Sequence, residues 1–343
     1  MQLKTLLQSL EQTPEYMSGP DLSFDSISRL DITNLAYDSR KVEPGGLFIA
    51  VPGTHTDGRR YVADAARRGA VAALGPALGN GVAGGAARPS IPYIEVGDEL
   101  SALADLACAF YGFPAQRLCT IGVTGTDGKT TTCNLIHTLL REAGFGSGLM
   151  TTANFKSGDR EWENTTRQST LEAPEVQQFL RQLLDEGMTY AVIEATSHGL
   201  ELQRVRGCAF DIGVVTNITH EHLEFHKTLE NYRRAKARLF EMLDAGRDKG
   251  LGVRPVAILN RDDSSYEVLK PYCSVPILDY GIDTPATIRA VDVQLGPTGT
   301  RFRVLLPGGD DLAQAVNDTG QLTALGQAAR REIQIETRLV GKY

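Results

Sequence analysis

The chain is poor in cysteine and in positive charge, and each shortage argues against a class of function. Its five cysteines, Cys108, Cys119, Cys133, Cys208 and Cys273, are scattered, odd in number and without a Cys-x-x-Cys pair. That pattern argues against a disulfide framework and for reduced, mostly buried thiols. Lysine and arginine total 35 against 42 aspartates and glutamates, a formal net charge of -7. Binders of nucleic acid or of membrane surfaces carry a basic patch, and none is visible here. No apolar run approaches the roughly 20 residues of a membrane-spanning helix, and the N-terminus lacks a charged region followed by an apolar core and a cleavage site. The expectation is a cytoplasmic protein with no nucleic-acid and no membrane partner. What is present is globular: 42% hydrophobic and 22% charged residues over 343 positions, enough for two domains that each bury a core.

The most informative segment is Ile121-Gly-Val-Thr-Gly-Thr-Asp-Gly-Lys-Thr-Thr-Thr132. Leu118 to Val123 is an apolar, β-branched run, and Leu135, Ile136, Leu139 and Leu140 follow at the spacing of one helix face. Strand, tight loop and helix are the context of a phosphate cradle. Gly125 and Gly128 free the backbone to aim successive N-H groups at phosphate oxygens near the positive end of the helix. Lys129 is placed for the β- and γ-phosphates, and Thr130 for a Mg2+ ion. The loop is a variant, because the usual pattern needs glycine where Val123 stands. Cys133, just past the loop, reads as packing.

The first unit, residues 1 to about 117, contains the strand-like runs Leu47 to Val51 and Val71 to Leu74, with a helix over Tyr61 to Arg68. Gly79 to Ala87 reads as a glycine-rich loop, and Tyr111-Gly-Phe-Pro114 ends a helix that starts near Glu99. From 118 to 343, strand candidates at 118 to 123, Tyr190 to Ala195, Ile212 to Thr216 and Val256 to Leu259 alternate with helices at 131 to 143, Pro174 to Glu186 and Leu229 to Leu243. This order predicts an α/β fold with a mostly parallel sheet flanked by helices. Ligands then sit beyond the carboxyl ends of the strands, where the loop, Glu194 and Asn217 fall. Thr287 to Leu306 reads as a β-hairpin turning at Gly296-Pro-Thr-Gly299, followed by a polar stretch from Gly308 to Asp318 and a short helix.

Glu194 ends an apolar strand and is suited either to a second metal-ligand position or to a structural cap. Asn217 to His226 contains three histidines, His220, His222 and His226. A His-x-His-x-Asp-His metal site fails there, since Glu224 and Phe225 occupy its last two positions. His222 is nearest in register to the strand end and could help hold Mg2+. In the helix from Thr228 to Leu243, Lys236 shares the apolar face of Tyr232, Ala235, Leu239, Phe240 and Leu243. Apolar surroundings lower a lysine pKa and free neutral amine for reaction with CO2, giving a carbamate. On spacing alone, a lysine snorkelling at the edge of the stripe is the better reading.

Thr124-Gly-Thr-Asp-Gly-Lys-Thr130, Glu194-Ala-Thr-Ser-His-Gly-Leu200, Thr216 to His226 and Asn231-Tyr-Arg-Arg-Ala-Lys-Ala-Arg-Leu-Phe240 together closely resemble the Mur ligase family of ATP-dependent amino-acid ligases. Tyr37-Asp-Ser-Arg-Lys-Val-Glu-Pro-Gly-Gly-Leu-Phe-Ile-Ala-Val-Pro-Gly53, with His55, Asp57 and Gly58, resembles the uridine-binding domain of its tripeptide-forming branch.

The resemblance implies a small N-terminal UDP-binding α/β domain at 1–117 and a P-loop ATPase domain at 118–343. The family's third, Rossmann-like domain would lie beyond the last residue. It implies the cofactors ATP and Mg2+, with UDP-N-acetylmuramoyl-L-alanyl-D-glutamate and an amino acid as substrates, handled by a monomer. ATP would be held by Thr124, Gly125, Thr126, Asp127, Gly128, Lys129, Thr130 and Thr131, with Asn260 and Asp263 near the adenine. Thr130, Glu194, His222 and a carbamate on Lys236 would serve the metal, and Lys129, Lys236, Glu194 and His222 the catalysis. The UDP substrate would meet Ser39, Arg40, Thr54, His55, Thr56, Asp57, Thr165, Thr166, Thr196 and Arg204. Asp127 departs from the asparagine usual in the family's loop. Two alternatives stay open: a fragment that binds UDP substrate and ATP without ligating them, and a ligase of the folylpolyglutamate synthase kind.

Overall fold

Alternation of apolar side chains, traced in a computed structural model, sets the architecture. The structure describes residues 1–14, 16–18, 27, 29–53, 56–78, 89–166, 168, 170–219, 221, 223–307 and 331–339. They form two compact units, one of Met1–Pro114, Glu172–Arg181 and Leu202–Gly207, the other of Ala115–Leu171, Gln182–Glu201 and Cys208–Tyr343.

The first unit is built on strands β1 (Tyr16–Ser18), β2 (Asn34–Ala36), β3 (Gly46–Ile49), β4 (Ala70–Gly75) and β5 (Tyr93–Glu95), in the order β1-β5-β4-β3-β2. β2 to β5 are parallel, and β1 joins β5 antiparallel. On one face Leu47, Ile49, Leu74 and Ile94 pack with Leu3 and Leu6 of α1 (Leu3–Leu7) and Leu103 and Leu106 of α3 (Glu99–Phe110). On the other, Phe48, Ala50, Ala73 and Tyr93 pack with Val62 and Ala65 of α2 (Val62–Arg67). Successive residues of β3 thus feed opposite cores, as the period of a strand requires. α2 is preceded by a 3-10 turn at Gly58–Tyr61, so the expected helix over 61–68 is a composite.

The second unit carries an 11-stranded sheet. Its strands are β6 (Cys119–Thr124), β7 (Ser147–Met150), β8 (Asn154–Ser157), β9 (Arg160–Glu163), β10 (Tyr190–Glu194), β11 (Ile212–Val215), β12 (Val256–Asn260), β13 (Ile277–Gly281), β14 (Ile288–Gly296), β15 (Gly299–Leu306) and β16 (Arg331–Thr337). The order is β16-β15-β14-β13-β12-β11-β6-β10-β7-β8-β9. β7 through β14 in that order are parallel, and antiparallel wings, β8-β9 and β15-β16, flank them. The expected hairpin is present, with Gly296 opposite Gly299. The polar stretch and short helix expected after it fall mostly in 308–330, outside the described residues.

The remaining helices are α4 (Lys129–Glu142), α5 (Ala173–Asp185), α6 (Ser197–Glu201), α7 (Leu223–His226), α8 (Leu229–Glu241) and α9 (Tyr266–Leu269). Ile121, Val123, Val192, Leu149 and Val214 meet Cys133, Ile136 and Leu140 of α4. One expectation is corrected here: Leu135 and Leu139 lie on the outward side of α4, 44% and 68% exposed, while Cys133 and His137 are buried. The inward stripe is offset from the run of leucines because Cys133, expected as packing, and the buried His137 complete it. Gly122, between two strand residues that face α4, approaches Leu239 of α8 and Phe210.

At the amino ends of the central strands Asp211 and Lys249, 4% and 2% exposed, form an ion pair of 2.7 Å. Asp211 also accepts the Thr120 N-H at 2.8 Å, and Lys249 donates to the carbonyls of Ala209 and Leu118 at 2.6 and 2.9 Å. The ammonium of this buried pair thus has three oxygen acceptors, and Asp211 Oδ2 accepts from both Lys249 and the backbone, as burial of charge demands. All five cysteines are free thiols, four of them buried.

Candidate functional site

β6 ends at Thr124, and two backbone turns carry the chain into α4. Gly125 has φ 147° and Gly128, the N-cap, has φ 78°. A Cβ on Gly125 would lie 1.8 Å from the Thr216 hydroxyl, so only glycine fits. The loop is then held from the end of β11. Thr126 N-H donates to the Asn217 carbonyl at 2.7 Å, Asp127 N-H to Asn217 Oδ1 at 3.0 Å, and the Thr216 hydroxyl to the Asp127 carbonyl at 2.6 Å. Behind these, Asn260 donates to the Thr216 carbonyl at 2.7 Å and Asp263 accepts from Ile218 N-H at 3.3 Å. The loop therefore enters α4 with the unpaired N-H groups of a helix start facing outward from a fixed frame.

The charged side chains collect around this frame. Thr130 donates its hydroxyl to Glu194 Oε2 at 2.8 Å, and the same oxygen accepts from Thr152 N-H at 3.0 Å. Glu194 is 2% exposed. Lys129 Nζ donates to the Thr126 carbonyl at 2.6 Å. From α8, Lys236 Nζ donates to the Gly125 carbonyl at 2.5 Å and lies 4.5 Å from the Tyr232 ring centroid. Burial, then the neighbouring Lys129, brings the Lys236 pKa down to about 7. The Tyr232 hydroxyl is 3.2 Å from Thr126 Oγ1 and 3.3 Å from Glu221, and burial pushes its pKa up to about 12. α8 is thus pinned to this glycine-framed loop by two side chains one turn apart.

The structure brings together Thr124 through Thr131, Glu194 and Lys236, with Asn260 and Asp263 behind the turn that holds the loop. His222 lies outside the described residues, as do Thr54 and His55. In the first unit, Ser39 and Arg40 sit in a 3-10 turn capped by Asp38, to which Arg40 is forked at 2.7 and 2.9 Å. Asp57 caps the turn at Gly58–Tyr61 and pairs with Arg59 at 2.7 Å, while Thr56 Oγ1 is 3.1 Å from Tyr61. Arg204 pairs with Glu172 at 2.5 Å. In the second unit, Thr166 donates to Asn164 at 2.6 Å, and Thr196 lies 2.9 Å from Thr170; Thr165 is in the turn after β9. Thr216 and Asn217, the latter expected at the ligand edge but not as the frame of the loop, were not foreseen in this role, nor were Tyr232 and Glu221. For the first two the available signal was a hydroxyl and an amide directly after an apolar strand.

Two hard oxygen donors 2.8 Å apart, one hydroxyl and one carboxylate, suit Mg2+, which takes few protein ligands and completes its shell with water and phosphate. Among the described residues no cluster of three or more His, Cys, Asp or Glu is arranged to cage a metal.

A mostly parallel sheet with this loop at its carboxyl edge defines the class: an α/β protein of the phosphate-loop kind. Two family models match, "Mur ligase middle domain" over residues 123–343 and "Mur ligase family, catalytic domain" over 31–111. A UDP-N-acetylmuramyl-tripeptide synthetase from Roseiflexus sp. (strain RS-1) is 47% identical over 287 residues, covering 81% of this chain and 55% of that protein. A UDP-N-acetylmuramoyl-L-alanyl-D-glutamate–2,6-diaminopimelate ligase from Bacillus licheniformis is 36% identical, covering 90% and 59%. A solved structure with the same ligase title aligns at TM-score 0.68 and 28% identity over 84% of this chain and 56% of its own. MurF from Acinetobacter baumannii shares the fold at TM-score 0.60 and 18% identity, covering 98% of this chain and 60% of its own. The chain belongs to the Mur ligase family, and it spans about half the length of the curated relatives it matches.

Proposed function

We propose that this chain supplies the ATP site and the UDP-substrate site of a MurE-type ligase, which joins an amino acid to UDP-N-acetylmuramoyl-L-alanyl-D-glutamate with release of ADP and phosphate. The observation that carries the reading is the meeting of Lys129, Thr130, Glu194 and Lys236 at one glycine-framed loop. The kinship to a tripeptide synthetase and to diaminopimelate ligases supports the substrate class.

In this reading the N-H groups at the start of α4 and Lys129 hold the β- and γ-phosphates and spread the charge that develops as the substrate carboxylate attacks the γ-phosphorus. The products of that step are an acyl phosphate and ADP. The incoming amine then adds to the acyl carbon, and phosphate leaves. Thr130 and Glu194 would hold Mg2+, which supplies Lewis-acid charge stabilisation when bound. Lys236, buried and with its pKa brought down to about 7, has neutral amine available to add to CO2, forming a carbamate and releasing a proton. The carbamate would turn a cation beside the loop into a further oxygen donor for the metal. Ser39, Arg40, Thr56, Asp57, Thr165, Thr166, Thr196 and Arg204 would hold the UDP substrate, Asn260 and Asp263 the adenine side. The reading carries a cytoplasmic monomer; among the described residues no helix is long and apolar enough to cross a membrane.

The alternative reading is that the chain binds both nucleotides without ligating. ADP release is measured with UDP-muramoyl-dipeptide, Mg2+, bicarbonate and candidate amino acids, beside calorimetric titration of the UDP substrate. Amino-acid-dependent release supports ligation by this chain. Binding of both nucleotides without release supports the alternative, and binding of neither sinks both. Lys129→Ala is expected to abolish any ADP release, and normal turnover in that variant overturns the site assignment.

A further inference from the structure

β11 runs further alongside β6 than alongside β12. Its register with β6 continues to Val215 opposite Thr124, while its register with β12 ends at Val214 opposite Ile258. The carbonyls of Val215 and Thr216 therefore lie beyond the β12 ladder, and backbone acceptors at such a strand end need donors from elsewhere. Two side chains supply them. Tyr280, opposite Asn260 in the register of β12 with β13, shares its hydroxyl proton between the Val215 and Thr216 carbonyls, at 3.0 and 3.2 Å, and Asn260 donates to the Thr216 carbonyl at 2.7 Å.

Thr216 spends its remaining polar groups on the loop between β6 and α4. Its N-H donates to the Thr124 carbonyl at 3.0 Å and its hydroxyl to the Asp127 carbonyl at 2.6 Å. That hydroxyl also closes the space beside Gly125, where a Cβ would lie 1.8 Å from it. A displacement of the Thr216 carbonyl is thus passed to the loop at Gly125 and at Asp127 through one residue. Burial, then Asp263 and Asp262, pushes the Tyr280 pKa up, so its hydroxyl keeps the proton it donates.

We propose that Tyr280 is a positioning residue for nucleotide phosphate: by fixing the end of β11 it holds the Thr216 hydroxyl against the loop and so sets the direction of the loop N-H groups. The inference rests on the reading of the loop as an ATP site. With its hydroxyl spent on two carbonyls, Tyr280 acts on the ligand through Thr216, and Tyr280→Phe removes that donor while keeping the ring.

The test is a double-mutant cycle of Tyr280→Phe and Thr216→Val, read by calorimetric titration with magnesium ADP. Tyr280→Phe is expected to weaken binding about fivefold, the worth of one hydrogen bond. Thr216→Val is expected to weaken it more, and the double variant to bind no worse than Thr216→Val alone. Thr216→Ser keeps the hydroxyl and is expected to bind like the wild type. In the nucleotide-free proteins the amide resonances of Thr126 and Asp127 should move in Tyr280→Phe toward their positions in Thr216→Val, a change that general loosening of the sheet would not direct to these two groups. Unchanged affinity in Tyr280→Phe, losses that multiply in the double variant, or unmoved resonances at Thr126 and Asp127 overturn the proposal and leave the ATP reading standing. Binding by Thr216→Ser as weak as that by Thr216→Val has the same consequence. Failure of the wild type to bind magnesium ADP overturns the ATP reading and this proposal with it.

Discussion

Lys236 shows how one buried charge ties stability to pH. Its side chain is 1% exposed and its pKa lies at about 7 in the fold against an ordinary value of 10.5. Between those values the unfolded chain holds a proton that the folded chain has released, so stability rises with pH across that window. Below about 7 both states are protonated and the full cost of burying the charge is in place; above 10.5 neither is. Lys236→Met removes the titration and fills similar space. In CO2-free buffer the variant is expected to gain on the wild type as pH falls from about 10 to 7, by roughly 4–5 kcal/mol at full extent. Urea denaturation at pH 6, 8 and 10 reads the difference. A pH-independent difference would mean that the ammonium is not buried as described. Tyr232 acts on the same helix by geometry: Tyr232→Phe loses the contacts to Thr126 and Glu221, at 3.2 and 3.3 Å, and keeps the ring. The expected result is nucleotide affinity weakened several-fold at a stability cost of about 1 kcal/mol. Unchanged affinity, measured by calorimetry, would show that the loop holds its shape without that bond.

At the scale of elements, glycine placement separates what packs from what binds. A Cβ on Gly122 would come within 2.6 Å of Leu239 Cδ1 and 3.0 Å of Phe210 Cε1, both movable side-chain atoms. Gly122→Ala is therefore expected to cost about 1–3 kcal/mol in denaturant unfolding through overpacking between β6 and α8. Gly125→Ala meets the Thr216 hydroxyl at 1.8 Å with φ at 147°, and its main effect is expected on nucleotide affinity, which calorimetry should show lost. If Gly125→Ala binds normally, the loop is not the phosphate site. The strands and helices that carry the motifs were legible in sequence because β6, β10, β11, β12, α4, α5 and α8 are continuous apolar or amphipathic runs. Others were not. β7 is Ser147-Gly-Leu-Met150, fully buried yet with a serine and a glycine in its first half, where Leu183 fills the space above Gly148. β8 and β9, with Lys156, Arg160, Glu161 and Glu163, and β16, with Arg331, Glu332 and Glu336, lack the apolar signal of a core strand. Their pairing is set by neighbours distant in sequence, as propensity scales for strands would lead one to expect. The loop, Glu194 and Lys236 were legible for the opposite reason: each sits at a fixed offset from a strong element. Asn217 was legible as a strand-end residue, but its bonds to the loop, like those of Tyr232, were hidden because they depend on which strand ends lie side by side.

At the scale of the second unit, stability is expected to fall from the middle of the sheet outward. β6, β10 and β11 are almost wholly buried, while β9 is exposed at every residue and β16 at most of its length. Strands buried on both faces open only with much of the domain, whereas wings with solvated faces open locally at small free-energy cost. Amide exchange on the whole chain should be slowest in β6, β10 and β11 and fastest in β9 and β16. Adding magnesium nucleotide should slow exchange at Thr126 and Asp127, whose N-H groups are held by Asn217, and through α8, which Lys236 and Tyr232 tie to the loop. The wings should not respond, because β9 and β16 are the outermost strands and pair only with β8 and β15 in the sheet order. Slowing in the wings as large as that in α8 would mean that the ligand stabilises the sheet as one cooperative block. In that case the loop would not be locally framed, and the bonds from Thr216 and Asn217 would be secondary to the stability of the sheet in setting its shape.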